Sequence, residues 1–579
     1  MKQTIKISQT IIDRLGHSLN SCDGNLYGIS HKNELFILVL QADSENKIDF
    51  VNFLPTGIEL CGRFQVTAES TDLNIQLPTK SILLTSSIGK ENNVNIYQEQ
   101  NGKLNKSEYH IITEQEINST FLFIRLKGEV VLKSEFTIQA LKDAFQVIQK
   151  SLPSDSVFGL LKSNLFLQEH DTINAEFNST INEFYEDLNT ANDEGNRKKN
   201  KVVNIKPRVL DFNFLQQLTR DKSVDSIKEH APIGILNKNP LTIIDTLLPL
   251  DCISMVHEQT KISKLYEILL KSTTNRLSLF EEKILQFVKS NSNFLRFQPY
   301  HYYPEECKHF LTLLYAKSQT DKDTESERQL IHKQLLLDSY TPRFRRANQY
   351  SFDKKLNGPL LNPHEGIKNT DNGSYLLMSY HLVQRGTIAL VKGKYEYYHY
   401  CQNNMDDNGW GCAYRSLQTL ASWFKLQGYV DREVPTYKEI QQCLVDIRDK
   451  PASFVGSRQW IGSTEVNFVL NTLLGVQNKI VYVSNGEDMA SQGPELVNHF
   501  QNYGSPIMIG GGVLAHTILG VDYNQQTGDI RFLILDPHYT GGEDLHVIQN
   551  KGWCGWKNLS FWNKTAYYNM CLPLVPREV

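Results

Sequence analysis

The stretch that most restricts how this chain can fold is Asp406-Asp407-Asn408-Gly409-Trp410-Gly411-Cys412-Ala413-Tyr414-Arg415-Ser416. A turn-forming approach punctuated by glycine runs into apolar residues at Ala413, Leu417, Leu420, Ala421 and Phe424, and the run stops at Gly428. The pattern predicts a loop that delivers Cys412 to the start of a helix. Unpaired backbone N–H groups and the positive end of the helix dipole favour thiolate over thiol there, which makes Cys412 a candidate nucleophile. Gly409 and Gly411 would let backbone or substrate approach. A small buried cysteine in an ordinary helix cap fits the same pattern, so partners elsewhere must decide.

Those partners are near the other end. Ile530 to Asp536 reads as a strand, and it finishes in Asp536-Pro537-His538. Residues two apart on an extended chain share a face, so Asp536 and His538 can sit side by side, with Pro537 stiffening the spacing. An aspartate beside a histidine holds the imidazole in the tautomer that accepts a thiol proton. His516 competes for the role, because Val513 to Gly520 is a second strand-like run after Gly510-Gly511-Gly512. The order Cys412, His516, Asp536 would be papain's, and at this point both histidines stay open.

Four motifs are similar to those of the cysteine peptidases specific for ubiquitin-fold modifier 1, in their long, N-terminally extended form. They are Asp406 to Ser416, Gly456-Ser457-Arg458-Gln459-Trp460-Ile461-Gly462, Gly510-Gly511-Gly512-Val513-Leu514-Ala515-His516-Thr517 and Leu535-Asp536-Pro537-His538-Tyr539-Thr540-Gly541. The likeness runs from about Leu330 to Pro573. The resemblance implies a papain-like fold with the permuted chain order Cys, Asp, His. Cys412 is then the nucleophile, His538 the base and acid, Asp536 its orienter and Tyr400 an oxyanion donor together with the Cys412 amide. His516 becomes a histidine behind the site or in the core. The family cleaves after the C-terminal Val-Gly of its modifier. Trp460, Gln459, Trp410 and His516 are the candidate substrate-binding residues, Trp460 narrowing the groove so that only a small residue reaches Cys412. For both tryptophans, an aromatic anchor in the core is the competing reading.

Length sets the domain count: 579 residues exceed what one core usually supports, so two or three domains are expected. A net charge of -4 and a pI near 6.5 give no reason to expect nucleic acid as a partner. Nine scattered cysteines without a CxxC pair argue against a disulfide framework or a zinc site and for a reducing compartment. The most apolar run, Leu241 to Val256, is broken by Asp245, Pro249 and Asp251, and Met1 to Ile7 lacks a signal-peptide core, so no direct membrane insertion is expected.

The expected fold class is α+β: a papain-like cysteine peptidase domain at 340–579 preceded by an α+β N-terminal region. That region divides into a β-rich 1–190, with strands near Leu35 to Leu40, Ser81 to Leu84 and Thr120 to Leu126 and a helix from Thr137 to Ser151, then a polar linker at 191–208, then a mostly helical or mixed 209–339 that turns helical from Leu241 to Leu295. Phe53 to Gly62 is similar to the strand and turn pattern of MPN domains, without the histidine pair that binds zinc. The resemblance implies a thiol protease without cofactor or metal. It matures the modifier's precursor and removes the modifier from lysines, in the cytosol and at the cytosolic face of the endoplasmic reticulum through a membrane-bound adaptor. An autophagin-like protease shares Gly-Trp-Gly-Cys and Asp-Pro-His, but the flanking Ala413-Tyr414-Arg415-Ser416 and Tyr539-Thr540-Gly541 argue against it. A modifier-binding scaffold without turnover is the third reading, and nothing in the sequence supports it.

Overall fold

The computed structural model describes the chain from residue 3 to residue 576, apart from segments that include 69–80, 194–206, 217–242 and 368–382. It divides into two compact units, Met1–Ser339 and Tyr340–Val579. Most of the expected 191–208 linker lies outside the described residues.

The first unit holds an eight-stranded sheet around strands Cys22–His31 and Glu34–Ala42, with Ile5, Leu26, Ile37, Phe64 and Leu84 in its core. A second sheet of six strands is built on Phe121–Glu135, which pairs antiparallel with Ile243–His257 and parallel with Val209–Gln216. Strands from both sides of 191–208 therefore share one sheet, and the expected division between 1–190 and 209–339 does not follow it.

The helical reading from Leu241 needs correction: Ile243–His257 is a strand, and the helix is Leu265–Ser290. Exposed Ile243 and Leu247 alternate with buried Ile244 and Leu248. Both faces are apolar at this end, which hides the period of two that marks a strand. Pro249 is tolerated because the strand lies at the sheet's edge, where a missing N–H breaks no ladder.

The second unit is a seven-stranded sheet in which every pairing is antiparallel. Its central strand, Leu514–Tyr523, pairs with Ile507–Gly511 on one side and Ile530–Leu535 on the other. Helix Cys412–Leu426 packs on the first two of these strands and is buried on nearly every face. Leu417, Leu420 and Phe424 join Ile518 and Leu519 in one core, each side chain contributing about 1.5–3 kcal/mol by leaving water. The result is a papain-like layering: a buried helix is pinned along its length, and its N-terminus opens toward strand Leu514–Tyr523, which carries His516, and the turn after Ile530–Leu535, which carries His538.

Candidate active site

Cys412 is the first residue of its helix, capped by Gly411. A Cβ on Gly411 would come within 2.4 Å of the Tyr437 hydroxyl and 2.7 Å of Asp407 Cβ, and Gly409 turns the chain at φ +82°. At Gly411 the missing side chain admits the protein's own packing, one of the two approaches, by backbone or by substrate, that the sequence left open. What packs there is Asp407, fully buried. Its Oδ1 accepts the Cys401 amide at 2.8 Å, and its Oδ2 accepts Arg415 Nε at 2.5 Å and the Tyr437 hydroxyl at 2.6 Å. Arg415 also donates to the Gln402 carbonyl at 2.9 Å. The approach loop is thereby tied to the first turn of the helix, which fixes where the thiol points.

Strand Ile530–Leu535 delivers Asp536 and, two residues on, His538. Asp536 Oδ1 accepts both the His538 amide at 3.0 Å and His538 Nδ1 at 2.5 Å. The other ring nitrogen, Nε2, is buried with no hydrogen bond of ordinary geometry, and it is the atom left to face the Cys412 thiol, with which His538 interacts. Tyr400 lies edge-on to the His538 ring at 5.3 Å, its amide donates to the Pro537 carbonyl at 3.0 Å, and its hydroxyl interacts with Cys412. The Tyr397 hydroxyl donates to the Asp536 carbonyl. His399 Nε2 meets Glu543 Oε1 at 3.0 Å, and Glu543 also accepts from Gln402 at 2.6 Å. The tyrosine segment and the loop after His538 are thus sewn together.

The charges follow from these contacts. Burial pushes the Cys412 thiol up, but the hydrogen bond and charge of His538, the Ala515 amide and the Tyr400 hydroxyl outweigh it, and the thiol falls below its ordinary value. Burial pushes the His538 imidazolium down, yet Asp536 and Cys412 carry it up to about 9. Asp536 also resists burial, its carboxyl held below the usual range chiefly by the His538 bond. Both cysteine and histidine move toward their charged forms, which is the signature of a thiolate–imidazolium pair. Burial and the neighbouring thiol push Tyr400 up, so it stays a neutral donor.

The remaining expected site residues separate. Trp460 is 57% exposed and Gln459 is exposed beside it, with the Gln459 carbonyl accepting the Tyr414 hydroxyl at 3.0 Å. Trp410, for which groove and core were both open, is buried, edge-on to Tyr414 and Tyr437, with Nε1 donating to the Asp406 carbonyl at 3.3 Å. Its ring is consumed by packing. His516 is likewise buried rather than groove-lining, and its Nε2 lies 3.9 Å from Asp536 Oδ2. Among the described residues, His516, Asp536 and His538 form the one group with metal-ligand spacing, and the hydrogen bond to Asp536 already engages His538 Nδ1.

Asp407, Arg415 and Tyr437 escaped sequence reasoning, as did His399 with Glu543 and the Ala515 amide. Asp407 and Arg415 stand in the nucleophile motif itself, and a charge of each sign flanking a helix start was the available signal.

Peptidase family C78 matches residues 386–571, the insect UFM1-specific protease N-terminal MPN-like domain matches 1–117, and the ubiquitin-fold modifier 1 specific protease 2 N-terminal region matches 142–356. A probable Ufm1-specific protease 2 of Drosophila melanogaster is 35% identical across 100% of both chains. The chain belongs to the Ufm1-specific protease 2 family. The human Ufm1-specific protease 2 is 44% identical over 66% of this chain and 78% of its own. The crystal structure of UfSP from C. elegans shares the fold, with a TM-score of 0.66 at 24% identity across 100% of both chains. As a member of the Ufm1-specific protease 2 family, the chain is a cysteine peptidase of α+β fold.

Proposed function

We propose that this peptidase cleaves after the C-terminal glycine of ubiquitin-fold modifier 1, both to mature the precursor and to release the modifier from lysines of target proteins. Its relatives' names support the choice of modifier. The observation that carries the chemistry is the contact chain Cys412–His538–Asp536 at a helix N-terminus, with the 2.5 Å bond fixing the imidazole.

Cys412 thiolate attacks the carbonyl carbon of the terminal glycine. The Tyr400 hydroxyl and the Cys412 amide at the helix N-terminus receive the negative oxygen. The C–N bond breaks as His538 gives its proton to the departing amine, leaving a thioester. His538 then takes a proton from water, whose oxygen attacks the thioester, and the thiolate leaves with the glycine carboxylate formed. Trp460 and Gln459 narrow the approach so that glycine fits and larger residues do not.

The enzyme works in the cytosol and at the cytosolic face of the endoplasmic reticulum, held there by a membrane-bound adaptor on its N-terminal unit. No helix among the described residues is long and apolar enough to cross a membrane, which is consistent with attachment through a partner. Incubation with modifier precursor, lysine-linked conjugate and the equivalent ubiquitin substrates tests the specificity. The first two are cleaved and the ubiquitin forms are not; equal cleavage of ubiquitin would reject the reading. Flotation of microsomes with the protein and a variant lacking residues 1–339 tests the recruitment, which the truncation should abolish.

A further inference from the structure

Two consecutive residues of strand Leu514–Tyr523 touch opposite ends of the reacting pair. The Ala515 amide acts on the Cys412 thiol, helping to hold it below its ordinary value, and His516 Nε2 lies 3.9 Å from Asp536 Oδ2. Asp536 Oδ1 accepts both bonds from His538, so Oδ2 is the oxygen that His538 does not use, and Oδ2 faces His516 Nε2 at 3.9 Å. His516 is enclosed by Phe561 at 5.1 Å, Trp562 at 6.3 Å and His538 at 5.2 Å, all ring centroid distances. A buried polar ring fenced by aromatics and aimed at a carboxylate costs stability unless the carboxylate is its partner.

We propose that His516 is a positioning residue for the Asp536–His538 pair, presenting Nε2–H to the second carboxylate oxygen so that Asp536 keeps its orientation while His538 gains and loses its proton. The 3.9 Å separation is too long for a direct hydrogen bond, and catalytic contacts of this kind tighten when substrate binds. Neutrality matters as much as reach. Burial holds the His516 imidazolium down to about 4 against the pull of Asp536, with His538 and Lys557 the other charged groups acting on it. A donor without charge steadies the carboxylate and does not compete with the imidazolium of His538 for it.

This inference rests on the assignment of Cys412 and His538 to the chemistry, but its test does not depend on the modifier. Peptide-resolved alkylation of Cys412 by iodoacetamide across pH reads the thiolate directly in the full-length protein. In His516→Leu the midpoint rises by about one unit, a tenfold loss of thiolate at lower pH. His516→Asn, too short to reach Asp536, behaves the same, whereas His516→Gln stays within about 0.3 unit of the parent. Superimposed profiles for parent, His516→Leu and His516→Asn would overturn the proposal, as would His516→Gln shifting as far as His516→Leu. Should His516→Leu fail to fold, the contrast between asparagine and glutamine decides alone. Failure to cleave modifier substrates with an intact alkylation contrast would count against the proposed substrate and leave the positioning role standing.

Discussion

Asp407 and Arg415 form an ion pair with both side chains out of water, Arg415 Nε lying 2.5 Å from Asp407 Oδ2. Their job is geometric: the pair joins the loop before the nucleophile to the first turn of its helix. Such a pair adds little over well-packed apolar residues, but removing one partner strands the other charge. Asp407→Ala is therefore expected to destabilise the catalytic unit by about 3–5 kcal/mol. Urea denaturation followed by tryptophan fluorescence measures it, and a loss under about 1 kcal/mol would show that Arg415 finds another partner.

Tyr400→Phe removes a hydroxyl and almost no volume. If that hydroxyl holds the tetrahedral oxygen, kcat falls by about 10²–10³ with KM within about twofold. Steady-state kinetics on a fluorogenic modifier substrate check this, and an unchanged kcat would take Tyr400 out of the chemistry.

The pH profile follows from opposite shifts. Cys412 is held below its ordinary value, so thiolate persists as pH falls and is lost only on the acid side of that lowered value. His538 is raised to about 9, so the imidazolium that protonates the amine persists at neutral pH and is lost as pH rises through about 9. A plot of kcat/KM should form a broad bell. Asp536→Asn removes a cause of the raised value, so the alkaline limb should move toward lower pH. An alkaline limb unmoved by that substitution would contradict the role given to Asp536.

Trp460, 57% exposed, has little packing to lose. Trp460→Ala is expected to change stability by no more than about 0.5 kcal/mol while discrimination of glycine over alanine at the cleaved position drops about tenfold. Competition between the two substrates in one tube measures it.

The catalytic half was legible in the sequence because its signals are local. The helix predicted from Cys412 to before Gly428 is Cys412–Leu426, and the strand run ending in Asp536-Pro537-His538 is Ile530–Leu535 followed by a bonded Asp536 and His538. Choosing His538 over His516 took the family resemblance, because one lies in a strand-like run and the other just after one, and only the three-dimensional arrangement puts His538 against the thiol and His516 behind the carboxylate.

What stayed hidden depends on contacts distant in the chain. Nothing in the sequence near Trp410 announces that Tyr437 will close over it, and a tryptophan beside a nucleophile reads equally as groove or core. Asp407 gains its meaning from Tyr437, from Arg415 and from a glycine with no room for a side chain. In the first unit, Ile243–His257 read as helix because its two faces are both apolar near its start, so periodicity could not distinguish a strand.

The most direct measurement is intact mass after mixing the protein with ubiquitin-fold modifier 1 bearing a C-terminal electrophile, beside ubiquitin and autophagy-modifier probes, for the parent and Cys412→Ser. The prediction is one adduct, with the first probe alone, mapped to Cys412 and absent from the variant. Tight binding of that probe with no adduct, or labelling that survives in Cys412→Ser, would contradict it.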